Sequence, residues 1–382
     1  MERKTLSLCI IVKNEEQWIR RCLSSVKEFV DEMIIVDTGS TDRTPDIARS
    51  LGAGVYSFPW NGNFAEARNY GIIKASGDWI LWLDADEEVD AAQAHHLREV
   101  LDLEHVNIAC IELINFYGHS PPHPDRLYRL AHHRLFRNRI GLQFKGAIHE
   151  QLNVDDVLED LTDTPNLGVK VYHYGYLEHV TRSKSKFQRN LSMLLKASEG
   201  KDPDPWVEYH IASEYYRIND YPLTFEHVNR SIVQFLQKRI TPPSMLYKLK
   251  YASLILTGSY DGAWPAIEKA IALYPDYVDL HFYKGVILLN KDRIKEAIGA
   301  FEHCLALGED NLNYLTLKGL GSFQPYYYLG QCYEKQKKWN DAKDSYAAAL
   351  KLSPDHPEAS WAYRRLSRLE EDSVKEEERS QP

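Results

Sequence analysis

The first 180 residues alternate short apolar runs with amphipathic segments. Apolar runs bounded by turn residues predict buried strands, and apolar stripes at helical spacing predict helices packed against them. The pattern predicts four strands, at 5–13, 32–37, 55–56 and 79–84. It also predicts a helix after each of the first three strands. Such short alternation of strand and helix indicates a parallel, doubly wound α/β sheet.

The pattern is less regular beyond residue 88. It predicts a helix over 90–101, a polar surface loop over 153–166, and strands over 107–116, 128–136 and 169–176. We expect these elements to complete the same α/β domain.

From about residue 205 the apolar spacing is helical throughout, and it repeats. Four residues hold corresponding positions, separated by 39, 34 and 45 residues: Ala212, Tyr251, Gly285 and Gly330. The tetratricopeptide repeat has a period of about 34 residues and a fixed order of small and large side chains. The spacing therefore predicts tandem tetratricopeptide repeats with insertions in the first and third intervals.

These patterns divide the chain into four predicted parts. They are an α/β domain with a Rossmann-like, mostly parallel sheet over 1–180, a helical linker over 181–204, an all-α repeat solenoid over 205–368 and a charged tail over 369–382. Solenoids of this kind commonly hold extended peptides or partner helices on their concave face.

Composition and charge argue against several classes of protein. The formal net charge of −9 argues against a general nucleic-acid binder, because no net positive field attracts phosphate backbones. The five cysteines form no C-x-x-C pair, so neither a disulfide framework nor a zinc site is indicated. The first apolar run is too short and too β-branched for a secretory signal, and no run reaches the roughly 18 apolar residues of a transmembrane span. The sequence predicts a cytoplasmic protein.

Polar side chains stand at the ends of three predicted strands: Asn14 and Glu15, Asp37, and the pair Asp84 and Asp86. Carboxyl ends of neighbouring parallel strands meet at one sheet edge, which is where open α/β sheets bind ligands. Alternation places Asp84 and Asp86 on one side if the strand continues through Ala85. Two such carboxylates suit Mg²⁺ or Mn²⁺ bridging to substrate phosphates, whereas the alternative is an acidic, solvated loop.

Three ordered segments carry a family resemblance: Ile-Val-Lys-Asn-Glu-Glu at 11–16, Val-Asp-Thr-Gly-Ser-Thr-Asp-Arg-Thr at 36–44 and Leu-Asp-Ala-Asp-Glu at 83–87. Together they resemble the family-2 glycosyltransferases of the GT-A fold, over roughly residues 5 to 180. The repeats narrow the resemblance to the repeat-bearing bacterial branch. A Gly-x-x-His-Glu segment at 146–150 is similar to one in the sublancin-type peptide S-glycosyltransferases.

The resemblance implies a donor site for a nucleotide-sugar that includes Asn14 and Glu15. Asp37 would bind the uracil and ribose, Asp84 would sit by the ribose or the metal, and Asp86 would ligate the metal. Arg68 would hold the donor near its diphosphate. The alternatives are that Asp37 caps the turn after its strand and that Arg68 is a surface arginine on a helix.

The resemblance also assigns roles to later residues. Glu150 would be the general base that takes the proton from the acceptor, and His149 would support or replace it. His173 would be a late metal ligand, the alternative being a strand histidine packed among tyrosines. The pairs His95-His96 and His132-His133 have no further residue at ligand spacing, and we interpret them as surface residues.

As a whole, the resemblance implies an inverting glycosyltransferase that needs Mg²⁺ or Mn²⁺ and takes a nucleotide-diphosphate sugar, a UDP-sugar above others. The acceptor would be a peptide or protein side chain held by the repeats, which could also form a homodimer. The rivals are transfer to a saccharide or lipid-linked envelope glycan, and an inactive repeat scaffold. The Gln-x-x-Arg-Trp signature of many family members is absent, so the assignment of the base rests on the small subfamily.

Overall fold

The computed structural model describes residues 3–161, 164–178, 186–200 and 203–380. The chain forms two compact units, residues 1–201 and residues 202–382. The helices of the first unit are α1 Ile19–Val26, continued by a 3-10 turn Lys27–Phe29, α2 Thr44–Ser50, α3 Phe64–Lys74, α4 His96–Glu99, α5 Val154–Val157 and α6 Lys186–Ser198. Its strands are β1 Leu6–Val12, β2 Glu32–Asp37, β3 Gly54–Ser57, β4 Trp79–Asp84, β5 Glu87–Val89, β6 Ile108–Gly118, β7 Leu127–Arg137, β8 Phe144–Lys145, β9 Gln151–Leu152 and β10 Asn166–Leu177.

The main sheet of the first unit has the strand order β3-β2-β1-β4-β7-β6-β10-β5. Strands β3, β2, β1 and β4 run parallel to one another, as the alternation of strand and helix predicts. Strand β7 is antiparallel to β4 and β6, and β5 is antiparallel to β10. The predicted α/β fold is confirmed, and the sheet is a mixed one.

Both faces of the central strands are covered, which explains their continuous apolar runs. On β1, Leu8 and Ile10 pack into one buried cluster, whereas Cys9 packs into the cluster on the opposite face. The polar side chains that end these strands are therefore displayed only at the sheet edge.

The predicted helix over 90–101 is wrong in extent. The structure has turns followed by α4, which spans only His96–Glu99. The apolar stripe is still buried, because Ala94, Leu97 and Val100 pack in the core beside the sheet. Tertiary packing here overrides helix propensity. Similarly, the predicted loop over 153–166 contains the short helix α5, and its residues 162–163 lie outside the described ranges.

The second unit is helical. Its elements are α7 Pro205–Arg217, α8 Tyr221–Gln237, α9 Ser244–Leu256, α10 Tyr260–Ala263, α11 Ile267–Leu273, α12 Val278–Asn290, α13 Ile294–Leu307, α14 Phe323–Lys335, α15 Trp339–Leu352 and α16 Pro357–Ser380. The small residues of the repeat pattern lie against large ones. A Cβ on Gly285 would be 2.6 Å from the Phe301 ring, and one on Gly330 would be 2.5 Å from the Tyr346 ring.

The insertion predicted in the third repeat interval lies between α13 and α14, and we call residues 308–322 the repeat insertion. Lys248 Nζ lies 2.6 Å from Asp279 Oδ1 and also donates to the carbonyl of Leu315 in this insertion. Tyr277 donates its hydroxyl to the same carbonyl, at 2.7 Å. Side chains of two repeats therefore hold the insertion through its backbone.

All five cysteines are free thiols, four of them buried and Cys110 half-buried. Burial raises the pKa of each thiol, to about 11 for Cys110 and about 12 for Cys9 and Cys332. None of the helices in the described ranges is long and apolar enough to cross a membrane.

Candidate active site

Two of the predicted carboxylates flank the end of β1. Val12 is opposite Asp37 on β2, and Ile11 is opposite Asp84 on β4. Because one strand lies between them, the Asp37 and Asp84 backbones are about 10 Å apart. Both lie at the carboxyl edge of the parallel strands, where the strand order predicts a ligand site.

The loops after β1 and β2 are tied together through Asn14, whose φ of 57° is in the left-handed region that asparagine tolerates. Asn14 donates its backbone N–H to Ser40 Oγ at 2.9 Å and accepts from the Thr41 N–H at 2.8 Å. Glu15 donates its backbone N–H to Thr44 Oγ1 at 2.7 Å. These two residues shape the edge of the site.

Asp37 is half-buried, and Ser40 donates its backbone N–H to Asp37 Oδ1 at 3.0 Å. One carboxylate oxygen thus caps the turn after β2. The other, Oδ2, accepts no hydrogen bond from any residue in the described ranges. Capping the turn and binding a ligand are therefore compatible for this side chain.

Asp84 and Asp86 have different partners. Strand β4 ends at Asp84 and a two-residue turn follows, so the condition for placing both side chains on one side, a strand that continues through Ala85, is not met. Asp84 Oδ1 accepts from Arg68 at 2.6 Å, whereas Asp86 Oδ1 lies 3.5 Å from His173 Nε2. Burial alone would raise the pKa of Asp84, but the guanidinium groups of Arg68 and Arg134 lower it below its ordinary value.

His173 is fixed by Asn115, whose side-chain oxygen lies 2.8 Å from His173 Nδ1. Because that oxygen can only accept, Nδ1 donates, and Nε2 is directed at Asp86. Burial lowers the pKa of His173, yet the hydrogen bond and charge of Asp86 outweigh it and leave the pKa raised. Gly175 lies beside this pair, and a Cβ there would be 2.4 Å from His173 Nε2 and 2.7 Å from Asp86 Oδ2. Only glycine leaves this space open.

Arg68 is buried, so its interpretation as a surface arginine is wrong. Its Nη2 donates to Asp84 Oδ1 and its Nε donates to Glu150 Oε1 at 2.5 Å. The guanidinium carbon lies 4.5 Å from the centre of the Trp82 ring and 5.4 Å from that of Phe144. Burial opposes its charge, but the two carboxylates raise its pKa. Arg68 thereby joins Glu150 to the carboxyl end of β4.

The segment that carries His149 and Glu150 lies between β8 and β9. His149 has a φ of 52° and is half-buried. Ala147 accepts a hydrogen bond from the Phe64 N–H at 2.9 Å, which fastens the segment to the start of α3. Arg68 also lies on α3, so this helix positions Glu150 through two contacts: the backbone hydrogen bond to Ala147 and the side-chain hydrogen bond from Arg68.

Sequence reasoning did not identify Glu87, Arg134 and Asn115. Glu87 is buried; it accepts from Arg134 at 2.6 Å and from the Asp84 N–H at 2.8 Å. Burial raises the pKa of Glu87 despite this pairing. Arg134 is 47 residues from Glu87, and Asn115 is 58 residues from His173, so no local spacing could have revealed either pair.

The interpretation of His132 as a surface residue is wrong, whereas His95 is exposed and His96 is half-exposed, as expected. His132 is half-buried on β7, with its ring edge against Trp82, and burial together with Arg134 lowers its pKa to about 3. His96 lies 2.9 Å from Glu99, three residues later, so the pair His95-His96 does have a partner at ligand spacing.

Comparisons with known proteins agree with this architecture. Residues 7–156 match the family described as Glycosyl transferase family 2, and residues 257–311 and 323–356 match families described as Tetratricopeptide repeat. A TPR repeat-containing protein of Synechococcus elongatus is 30% identical over 314 residues, which cover 77% of this chain and 75% of that protein.

The SPbeta prophage-derived glycosyltransferase SunS of Bacillus subtilis is 26% identical over 301 residues, covering 75% of this chain and 67% of that protein. Among solved structures, glucosyl-3-phosphoglycerate synthase from Mycobacterium tuberculosis, in complex with Mn²⁺, UDP and phosphoglyceric acid, aligns with 25% identity and a TM-score of 0.26. That alignment covers 31% of this chain and 44% of the synthase. From the family match and the extended sequence similarity, this chain belongs to glycosyltransferase family 2 and carries tetratricopeptide repeats after its catalytic domain.

Proposed function

We propose that this glycosyltransferase moves a sugar, with inversion, from a UDP-sugar to a peptide or protein side chain, using a divalent metal ion. The observation that carries the proposal is the pairing of Asp86 with His173 beside Asp37 and Asp84. His173 Nε2 lies 3.5 Å from Asp86 Oδ1, while Nδ1 of the same ring donates to Asn115. Two electron-pair donors in that arrangement repel unless a proton or a cation lies between them.

Asp86 and His173 suit a metal of the Mn²⁺ or Mg²⁺ type, with imidazole favouring Mn²⁺. Adjacent ligands of an octahedral ion lie about 3 Å apart, because each is about 2.1 Å from the metal. Gly175 supports this assignment because it keeps the space beside both ligand atoms open. When bound, the ion would neutralise the charge that grows on the nucleoside-diphosphate leaving group.

The proposed metal site has two ligands from the protein. Among the described residues, Asp84, Asp86 and His173 do not bring three potential ligand atoms within 4.8 Å of one another. Asp84 is held by Arg68, and we assign it to the ribose side of the donor. The remaining metal positions suit diphosphate oxygens and water, which is the usual coordination of Mg²⁺ in such sites.

For the donor base and ribose we propose Asp37, because its Oδ2 can accept from a ring N–H or a hydroxyl. Asn14 and Glu15 keep the surrounding loops in place through the hydrogen bonds to Ser40, Thr41 and Thr44. The donor would then extend from Asp37 past Asp84 towards Asp86.

We propose Glu150 as the general base, with His149 supporting it. Arg68 holds Glu150 Oε1, so the other carboxylate oxygen is the one available to take the acceptor's proton. Because both carboxylate contacts of Arg68 are made within the protein, we assign it a positioning role in place of the diphosphate contact expected from the family. The nucleophile loses its proton as it attacks the anomeric carbon.

The peptide acceptor is supported by the Gly-x-x-His-Glu segment and by the repeats, a type of surface that often binds extended peptides. The free thiols fit a reducing compartment, and we place the reaction in the cytoplasm. Dimerisation through the repeats stays a prediction from the sequence.

A donor screen tests the proposal. The full chain is melted with UDP-, GDP- and dTDP-sugars, each with and without Mn²⁺. We expect a UDP-sugar with Mn²⁺ to raise the melting temperature, since a ligand at 100 times its Kd adds about 2.7 kcal/mol of stability. Asp86→Asn should remove the metal-dependent part, whereas Asp102→Asn, at an exposed carboxylate, should keep it. The absence of metal-dependent stabilisation by every donor would contradict the proposal.

A further inference from the structure

A second group of potential metal ligands lies outside the candidate active site, at α4. His95, His96 and Glu99 each offer one ligand atom, and these three atoms all lie within 4.8 Å of one another. We propose that this group binds a divalent transition-metal ion of the Zn²⁺ class, independently of the donor site. We call it the α4 cluster.

The geometry of the α4 cluster is set by the start of the helix. His95 immediately precedes α4, and Glu99 is its last residue. The rings of His95 and His96 are tilted by 35° with centroids 4.1 Å apart, and His96 Nδ1 lies 2.9 Å from Glu99 Oε2. The backbone thus presents two imidazoles and a carboxylate to one point.

The three ligand side chains of the α4 cluster favour Zn²⁺ over Mg²⁺, one of the ions proposed for the active site. Two imidazoles and one carboxylate form a recurrent three-residue zinc site whose fourth position is taken by water or another ligand. Mg²⁺ and Ca²⁺ prefer oxygen ligands, so two imidazoles select against them. His95 and Glu99 are exposed and His96 is half-exposed, so their side chains can rotate to the shorter spacing that a bound ion requires.

An ion pair between neighbours on a helix explains only part of this arrangement. His96 and Glu99 alone make the i,i+3 contact. His95 adds a second imidazole at the same point, although its exposed position offers little apolar burial. The chain also contains a simple histidine–carboxylate pair for comparison: His119 Nδ1 lies 3.3 Å from Glu178 Oε2, both at the surface.

An ion bound at the α4 cluster would cross-link the turn before α4 to the end of the helix. Leu97 within α4 is buried in the core, so the cluster is mounted on a segment that cannot move freely. This segment follows β5, which pairs with the strand that carries His173. We therefore expect metal binding to stabilise the native state, because a ligand that binds only the folded chain raises its melting temperature.

Zinc titration of the metal-free full chain by calorimetry tests the site. We expect His95→Ala with His96→Ala to remove one equivalent of bound Zn²⁺, and Glu99→Gln to weaken the same equivalent at least tenfold. His119→Ala, in the matched single-histidine pair, should leave the titration unchanged. Zn²⁺ can also bind at Asp86 and His173, but the wild type and all of these variants keep both residues. The difference in the number of bound Zn²⁺ ions between them therefore reports on the α4 cluster alone.

A second readout checks that the variants report on metal and not on folding. His95→Gln with His96→Gln keeps the polarity and approximate size of both side chains, and should melt like the wild type without metal. We expect Zn²⁺ to raise the melting temperature of the wild type more than that of this variant. An unchanged zinc stoichiometry and an equal thermal shift in the doubly substituted proteins would overturn the α4 cluster as a metal site.

Discussion

At the scale of single residues, the candidate site depends on which carboxylate is paired with which cation. Asp84 faces Arg68, Asp86 faces His173 and Glu87 faces Arg134. The order of the acidic residues in sequence indicates where the site is, because they follow a strand that is plainly apolar. It does not indicate the pairing, since the partners come from α3, β10 and β7.

Gly175→Ala tests how closely the proposed metal ligands are packed. The added methyl would lie 2.4 Å from His173 Nε2, so we expect metal affinity and transfer rate to fall at least tenfold in a folded protein. The loss of one good electrostatic partner in a transition state costs a few kcal/mol, which corresponds to roughly a hundredfold or more in rate. The rate is measured as a function of Mn²⁺ concentration.

Gly299→Ala is the matched control, because a Cβ on that helical glycine meets nothing within 4 Å. It should keep full activity and gain up to about 1 kcal/mol of stability, since alanine favours helix over glycine. If Gly175→Ala were as active as Gly299→Ala at every metal concentration, the pairing of Asp86 with His173 would not be a metal site.

His132→Gln tests whether the half-buried His132 stays neutral in the folded chain. The pKa of His132 is about 3 in the folded chain, against 6.5 for the free side chain. Between these values the unfolded chain takes up a proton that the folded chain does not, so stability is lost as the pH falls from about 6.5 towards 3. Urea midpoints of the variant should therefore fall less steeply over this range, whereas His105→Gln, at an exposed position, should follow the wild type. Equal slopes for all three proteins would argue against the buried neutral state.

At the scale of elements, the parallel strands were predictable and their antiparallel neighbours less so. A strand covered on both faces reads as a continuous apolar run, which is how β1, β2 and β4 were located. The direction of β7 depends on the length and path of the connections, which the apolar pattern does not record. The apolar stripe over 90–101 suggested one long helix for a related reason, because a short helix flanked by turns buries Ala94, Leu97 and Val100 at the same spacing.

A buried ion pair, Lys248 with Asp279, is one of the contacts that hold the repeat insertion. Asp279 is fully buried, burial raises its pKa, and Lys248 opposes this only in part. Lys248→Met would leave the carboxylate buried without its cation and would release the carbonyl of Leu315. Removing one partner of a buried pair costs about 3–5 kcal/mol, so we expect a clear drop in melting temperature by circular dichroism.

Two control variants separate the loss of the ion pair from the loss of a lysine in general. Lys351→Met, at an exposed position, should melt like the wild type. Lys248→Met combined with Asp279→Leu removes both charges and should recover part of the stability. A single Lys248→Met variant as stable as the wild type would show that the pair does not hold the insertion.

At the scale of the whole molecule, the order of the two units was clear from sequence because their periodicities differ. The first alternates strand and helix, whereas the second repeats a helical pattern every 34 to 45 residues. The two compact units divide between residues 201 and 202, within the predicted linker over 181–204. The repeat pattern by itself does not specify the acceptor, because repeat surfaces bind many kinds of partner.

A truncated chain of residues 1–201 tests the proposed division of labour. We expect it to hydrolyse the donor at a rate close to that of the full chain, because every candidate donor residue lies in the first unit. Transfer to peptide should be lost, because the proposed peptide-binding repeats are gone. Far-UV circular dichroism establishes that the truncated chain is folded, and transfer to peptide at the full rate by a folded truncation would contradict the role of the repeats.

The free cysteines have a practical consequence for identifying the acceptor atom. Sugar transfer to sulfur needs a thiolate, and burial keeps the thiols of this chain protonated near neutral pH. The enzyme should therefore not glycosylate its own cysteines. When the enzyme is mixed with donor and a cysteine-containing peptide, sugar that becomes attached to sulfur can then be assigned to the peptide. A single cysteine introduced at an exposed position such as Asp102 would also accept a fluorophore selectively, so donor binding could be followed without removing any native thiol.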